Sequence, residues 1–321
     1  MIDFESMRTF LRCPCCHSSA LSVGDTASDM VCESCGSRYP ISFGRPVLLR
    51  PDNDVFCQDD YRNIKVPILN DGGLIWQGLI PKSSVNLASQ RVLSRVREFL
   101  DKKPSATVLV VGGGRQRQWL NERLGFGDAV QLVYSDIDIG ADVDLFCDGH
   151  DLPFVDGAFD AVVTTAVLEH VLYPERVAAE ITRVLKEGGL LYSELPFMQQ
   201  VHEGAYDFTR YTMSGHRRLF NGVSEIESGM VAGPGTALVW AIENFATAFM
   251  VRPPLRKITK AVIRLAFGWI KYFDLLLVDI PAAMDGASCT YLLGSKIDGH
   301  VSDAEIIARY VGAQDLRHTQ A

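Results

Sequence analysis

Two cysteine pairs stand near the start of the chain, Cys13-x2-Cys16 and, fifteen residues further on, Cys32-x2-Cys35. A CxxC turn presents two thiolates on one knuckle, and two knuckles at this separation supply the four sulfurs of a closed, tetrahedral zinc site. Cys15 and His17 lie beside the first knuckle as spare donors, so one ligand assignment can shift by a residue. A redox role fits less well, because a dithiol needs only one such pair. Five of the eight cysteines fall within the first 35 residues. That clustering points to a metal module in a reducing, cytoplasmic compartment and not to a disulfide framework.

A second set is the run Gly112, Gly113 and Gly114, which ends the apolar stretch 107–111 and leads into a polar, helix-capable segment. Residues without a Cβ let the backbone approach a bound nucleotide. The next apolar stretch ends at Asp136, where a carboxylate can accept hydrogen bonds from two ribose hydroxyls. The G-x-G-x-x-G fingerprint would need glycine where Arg117 stands, and G-x-G-x-G would need it at Gln116. No Gly-Lys-Ser/Thr follows, which excludes a Walker loop. Taken alone, the loop and the acid fit NAD and S-adenosylmethionine equally.

A third set lies between Glu194 and Thr212, with His202, Asp207, Arg210 and Tyr211 close together. His202 suits a general base, since an imidazole titrates near neutrality. Asp207 could orient it or accept from a sugar hydroxyl, and Arg210 could clamp a phosphate or carboxylate. The competing reading pairs Asp207 with Arg210 to lock the loop and leaves His202 on the surface.

The elements that must position these groups alternate. Strand patterns over 107–111, 130–135, 159–164 and 188–195 enclose helix patterns over 115–124 and 174–186. Such alternation predicts a parallel sheet covered by helices, with ligands beyond the carboxyl ends of the strands. Two further strands are expected near 224–230 and 289–297. The divisions that follow are a zinc ribbon over 1–55, a linker and leading helix over 56–105, a nucleotide-binding domain over 106–300, and a C-terminal helix and tail over 301–321. Residues 51–83 read as a linker or irregular lid and 84–100 as a surface helix.

The order of residues from Cys147 to Val171 resembles the class I S-adenosylmethionine-dependent methyltransferases, of the type 11 kind. The matching positions are Asp148, Leu152, Pro153, Phe154, Asp156, Phe159, Asp160, Val162, Leu168, Glu169 and His170, with Gly188 and Gly189 before the next strand. The resemblance implies an α/β, Rossmann-like methyltransferase sheet with the ribbon module in front and a helical insertion before the last strand. It implies that Asp136 holds the ribose, that Asp148 and the Gly149 backbone read the adenine, and that Gly112 to Gly114 pass under the methionine end. Val110 stands where the family often carries an acid, so the methionine ammonium is left to a backbone carbonyl or to Glu169. The ribbon, with Tyr39, Pro40, Ile41, Gly44 and Pro46 around its last turn, resembles the small activator protein of tRNA and ribosomal methyltransferases, which speaks to fold and not to activity.

The acceptor is read from two features. No Asn-Pro-Pro-aromatic motif follows the fourth strand, which disfavours amine methylation. The segment His202–Thr212 is similar to one in methyltransferases encoded among bacterial glycan and lipid-glycan enzymes, with Ala205 where that pattern has proline. The resemblance implies O-methylation of a small-molecule, glycan or lipid-linked acceptor. An RNA methyltransferase and an inactive cofactor-binding module are the rivals. The net charge of −8 disfavours nucleic acid, although Arg8, Arg12, Arg38, Arg45 and Arg50 could form a local patch on the ribbon.

More than 50 residues separate the last two expected strands, and 231–287 reads as an inserted helical unit. On a helix, Leu255, Ile258, Val262, Leu265, Trp269, Phe273 and Leu276 share one face, with Arg256, Lys257, Lys260, Arg264 and Lys271 opposite. A basic amphipathic helix of this kind supports a peripheral membrane contact through 252–278. The alternatives are an apolar face packed on the core as a cap, or a dimer contact. The first residues carry no apolar signal segment, and no run is long and apolar enough to span a bilayer.

Overall fold

The computed structural model describes residues 7–24, 28–62, 82–114, 116–124 and 129–314. The central part of the expected lid, 63–81, and the tail from 315 onward lie outside the described residues.

The ribbon consists of β1 (Leu21–Val23), β2 (Asp29–Cys32), β3 (Arg38–Ser42) and β4 (Arg45–Leu48), each antiparallel to the next. Helices α1 (Gln58–Arg62) and α2 (Ser89–Leu100) follow, and then the alternating units: β5 (Ala106–Val111), α3 (Arg117–Leu124), β6 (Val130–Asp136), β7 (Leu145–Cys147), β8 (Phe159–Thr165), α4 (Pro174–Val184) and β9 (Leu185–Pro196). The chain ends with α5 (Met213–Leu219), β10 (Val223–Ala232), α6 (Pro234–Ala248), α7 (Pro253–Phe267), α8 (Asp274–Leu277), β11 (Cys289–Lys296) and α9 (Asp303–Ala308).

One sheet runs through the molecule in the order β1-β2-β3-β4-β7-β6-β5-β8-β9-β11-β10. The central strands are parallel, and β8 is buried along its whole length, as expected of a strand covered on both faces. The ribbon is part of this sheet. Its last strand, β4, lies parallel to β7 with Val47 opposite Phe146 and Leu48 opposite Cys147. Nothing in either short strand announces this pairing, which joins residues almost a hundred positions apart.

A second seam fixes the ribbon. Leu11 bridges Phe154, Arg12 N–H donates to the Pro153 carbonyl at 2.9 Å, and Val155 N–H donates to the Phe10 carbonyl at 2.9 Å. Phe154 stands edge-on to Phe159, with Phe10 against both. The Leu152-Pro153-Phe154 motif therefore docks the N-terminal segment. Phe154→Ala would leave a cavity costing about 3–5 kcal/mol.

The helices follow from their apolar spacing. In α2, Val92, Leu93, Val96 and Leu100 are buried, while Arg91 and Arg95 on the other side pair with Glu227 of β10. Helix α4 opens on Pro174, whose fixed φ suits a first turn, and buries Val177, Ala178, Ile181 and Val184.

The insertion is anchored at Asp274. Its carboxylate accepts from the N–H groups of Gly233, Gly235 and Thr236 and from the Thr236 hydroxyl, capping α6. Buried Glu243 of α6 pairs with Lys260 and Arg264 of α7, and the Lys271 ammonium donates to the Lys82 carbonyl. The basic side of α7 thus supplies the inward contacts. The apolar stripe, which runs on past the end of α7 through a 3-10 turn over 268–273 into α8, points outward, with Leu265 65%, Trp269 57% and Leu276 73% exposed. The expectation of an apolar face packed on the core as a cap is corrected accordingly: Glu243 draws the cations in and leaves the stripe uncovered.

Candidate active site

The site is built at the carboxyl ends of β5, β6, β7 and β8. Leaving β5, the chain turns at Gly112 with φ +70, where a side chain is strained and a Cβ would collide with Val167. Gly112 lines the cavity described below, whereas Gly113 and Gly114 are not among its lining residues. Their missing Cβ atoms make room for Val110 and for Ala141. Val110, in the place of the family's acid, is buried in the core. Gln116, in the place of a third loop glycine, accepts from the Thr165 hydroxyl at 2.9 Å and so ties the loop to the end of β8.

A cavity of about 610 Å³ opens here, a size suited to a small-molecule ligand. Asp136, at the end of β6, accepts from the N–H groups of Ile137 (2.7 Å), Asp138 (3.0 Å) and Gly114 (3.2 Å), which fixes its carboxylate at the wall. Burial pushes this carboxyl up from its ordinary pKa. Asp148 follows β7. Its Oδ1 accepts from the His150 N–H at 2.9 Å and lies 2.6 Å from His150 Nδ1, and its Oδ2 accepts from the Asn53 amide at 2.7 Å. His150 Nε2 accepts from the Tyr173 N–H at 3.1 Å, so Nδ1 carries the ring proton. Burial raises the Asp148 carboxyl, but the hydrogen bonds from His150 outweigh it and the pKa ends below the ordinary value. Gly149 lines the same wall.

Asn53 comes from the segment after β4, the last strand of the ribbon, and Arg50, Val55 and Phe56 line the cavity with it. The sequence places this stretch in a linker or lid and shows no contact from it. Asn53 and His150, which both bond Asp148, are not assigned from the sequence, and neither are Ser135, Arg176 and Tyr206 of the same lining. A His two residues after an acid is a usable signal, whereas a lone Asn in a polar loop is not.

His170, Tyr206 and Phe208 form another part of the wall, beside the loop after β9. The chain reaches it through Ala166, a non-glycine residue at φ 55, which swings Val167 over Gly112 and brings Glu169 and His170 into the next turn. Strained backbone of this kind is typical of functional sites. The Glu169 side chain is 1% exposed, and burial pushes its carboxyl up to about 7. It is not among the lining residues of the cavity. Its Oε1 lies 3.6 Å from His170 Nε2 and 4.0 Å from His202 Nε2, which sets Glu169 with these histidines and not on the wall expected for the methionine ammonium.

Asp207 accepts from the His202 N–H at 2.9 Å and lies 3.4 Å from His202 Nδ1. Burial raises the Asp207 carboxyl, and its bonds from Arg210 and His202 bring it down to about 2. Arg210 donates to Asp207 and to the carbonyls of Gln199, Gln200 and Thr209, using all five of its N–H groups. None is left for an acceptor's phosphate or carboxylate, which is the arrangement of the competing reading, with Asp207 and Arg210 paired to lock the loop.

In the ribbon, Cys13, Cys16, Cys32 and Cys35 bring four sulfurs within 4.8 Å of one another. Cys13 and Cys35 are 3.7 Å apart and Cys16 and Cys32 3.5 Å apart. A zinc tetrahedron with bonds of about 2.3 Å has edges of about 3.8 Å, so the set fits a zinc ion. Cys15 lies outside the set and meets the Tyr39 hydroxyl at 3.2 Å.

Residues 111–193 match the family model described as a methyltransferase domain. This part of the chain is a methyltransferase domain. A mouse (Mus musculus) protein described as probable tRNA methyltransferase 9B is 35% identical over 114 residues, 33% of this chain. The chain spans only 25% of that relative's length. Among solved structures, phosphoethanolamine N-methyltransferase 2 of Haemonchus contortus, in complex with phosphomonomethylethanolamine and S-adenosylhomocysteine, aligns at 12% identity over 70% of this chain and 56% of its own, with a TM-score of 0.44. The YcgJ protein of Bacillus subtilis aligns at 14% identity over 65% of this chain and 99% of its own, with a TM-score of 0.39. The matched span takes in Gly112, Asp136, Asp148, Gly149 and Glu169, and the loop with His202 follows it directly.

Proposed function

We propose that the protein is an S-adenosylmethionine-dependent methyltransferase that methylates an oxygen of a small-molecule, glycan or lipid-linked acceptor. The observation that carries this reading is one cavity of the methyltransferase domain lined by Gly112, Asp136 and Asp148 and walled by His170 and Phe208. S-adenosylmethionine supplies an electrophilic methyl group on a sulfonium. The residues present fit it. Of roughly four acceptor positions on a carboxylate, three are filled on Asp136 and three on Asp148, leaving each one for a ribose hydroxyl or an adenine amino group. Gly112 gives the backbone approach, and the Gly149 backbone lies beside Asp148.

The protein's contribution to the reaction is to bind, align and dry the acceptor. The Glu169, His170 and His202 cluster is where we assign activation of the acceptor oxygen. Asp207 orients His202, and Arg210 holds Asp207. The ribbon thiolates hold a structural zinc ion, which supplies a closed, four-coordinate staple for a module with little core of its own.

Two observations bear on the partner. Arg12, Arg38, Arg45 and Arg50 of the ribbon all pair with carboxylates, among them Asp156, Asp29, Asp142 and Asp52. Together with the acidic balance, this weighs against an RNA acceptor. The uncovered stripe of α7 and α8, with Arg252, Arg256 and Lys257 exposed at the start of α7, supports a cytoplasmic protein that lies against an anionic membrane face through 252–278. No helix among the described residues is long and apolar enough to cross a membrane.

Calorimetric titration with S-adenosylmethionine tests the pocket. Asp136→Ala is expected to weaken binding about tenfold or more, the loss of a charged hydrogen-bond acceptor worth about 1.5–3 kcal/mol. Full affinity in that variant would remove the pocket as drawn.

A further inference from the structure

We propose that Glu169, His170 and His202 form a binding site for a divalent transition-metal ion, separate from the cysteine site. The argument is one of protons. His170 Nδ1 lies 2.6 Å from the Tyr206 carbonyl oxygen, and a carbonyl can only accept. His202 Nδ1 lies 3.3 Å from the Gln200 carbonyl and 3.4 Å from Asp207 Oδ2, both acceptors. Both rings therefore carry a proton on Nδ1, which leaves Nε2 as the ring atom turned toward the Glu169 carboxylate.

The Nε2 atoms lie 3.6 and 4.0 Å from Glu169 Oε1, too far for hydrogen bonds. Among the described residues neither carboxylate oxygen of Glu169 has a hydrogen-bond partner, although its side chain is 1% exposed. With Glu169 ionised, three acceptors converge with no donor among them, which is costly unless a proton or a metal cation lies between. A proton on one ring would satisfy one lone pair and leave the other.

The spacing suits a metal. One ligand atom from each residue lies within 4.8 Å of the others. Bonds of about 2.1 Å to nitrogen and oxygen put tetrahedral ligands about 3.4 Å apart, so closing the site draws ligand atoms together by up to about 1.4 Å. An Nδ1–H held by a carbonyl or carboxylate is also the arrangement that orients histidine ligands. Two imidazoles and one carboxylate suit zinc, iron, cobalt or manganese and leave positions open. The imidazoles are 21% and 23% exposed, so those positions are reachable. In the role we give it, which rests on the methyltransferase reading, the ion holds the acceptor oxygen and makes its O–H more acidic, the proton leaving to water.

The test uses the full chain with zinc in the ribbon and cobalt(II) as probe. We expect one equivalent of cobalt(II) to bind with ligand-field absorption and without thiolate charge-transfer bands. Glu169→Gln, His170→Gln and His202→Gln should each weaken it about tenfold or more. Glu169→Gln should also raise the melting temperature of the protein without cobalt, by removing the unpaired carboxylate, and should abolish the rise that cobalt gives the wild type. Absence of any cobalt beyond the ribbon, or unchanged binding in all three variants, overturns the site. S-adenosylmethionine affinity is measured on the same preparation. Cobalt binding without cofactor binding would sink the methyltransferase reading and leave the metal site standing, and the reverse result would do the opposite.

Discussion

The Asn53 amide donates to Asp148 Oδ2 at 2.7 Å, so a residue just beyond the cysteine module completes the cavity of the methyltransferase domain. With β4 paired to β7 and Arg45 bonded to Asp142 at 2.8 Å, the ribbon is a wall of the site as well as an appendage. Asn53→Ala should raise the dissociation constant for S-adenosylmethionine roughly 2- to 10-fold, the worth of one hydrogen bond of about 0.5–1.5 kcal/mol. Stripping the ribbon metal with a chelator should weaken cofactor binding in the same direction and lower the melting temperature. Calorimetry on both preparations checks this, and unchanged affinity after chelation would detach the ribbon from the pocket.

Gly112→Ala should destabilise the fold by about 1–3 kcal/mol, through strain at φ +70 and the collision with Val167. Adding Val167→Ala should recover the steric part and not the backbone part. The coupling between the two changes, read from urea midpoints of the single and double variants, is therefore expected to be favourable and smaller than the cost of Gly112→Ala.

Much of this site could be read from the sequence, because its signals are local. The glycine turn, Asp136 and Asp148 each sit at the end of an apolar run that had to be a strand. The Leu-Pro-Phe and Leu-Glu-His segments marked the family. What escaped reading was carried by distant partners. Asn53 and Asp148 are 95 residues apart, and β4 and β7 are too short to show that they pair. Periodicity showed that α7 has an apolar face, but what lies against that face depends on buried Glu243, whose partners a helical pattern does not reveal. For Arg210 the sequence offered two roles, and only the geometry of the loop shows its donors consumed.

His216 gives the pH dependence a definite sign. It is fully buried, with Nε2 2.9 Å from the Ser193 hydroxyl and Nδ1 3.2 Å from that of Thr290. Burial, with Arg217 adding to it and Glu225 opposing, brings its pKa down to about 3. The unfolded chain takes up this proton near pH 6.5 and the folded chain does not, so stability falls as pH drops below about 6.5, by up to about 1.4 kcal/mol per pH unit. Urea midpoints at pH 7 and pH 5 should differ in the wild type and differ less in His216→Gln, which is weaker at pH 7 for want of its packing. An equal acid loss in both proteins would assign the effect elsewhere.

The outward stripe of α7 and α8 predicts binding to vesicles rich in anionic phospholipid. Leu265→Glu together with Leu276→Glu should reduce co-sedimentation about tenfold or more, since each removes an exposed aliphatic group and adds repulsion. Salt should weaken the wild-type interaction. A protein that ignores vesicles and sediments as a dimer, becoming a monomer in the same double variant, would make the stripe a dimer contact.

The most direct test of the central claim is transfer itself. The protein is incubated with methyl-labelled S-adenosylmethionine and an extract of the cells that make it, with Asp136→Ala in parallel, and the products are separated into RNA, protein, water-soluble and organic-phase fractions. The account predicts label in the organic or small-molecule fraction, stable to conditions that cleave carboxyl esters and absent with Asp136→Ala. Label in RNA, or tight cofactor binding with no label in any fraction, would contradict it.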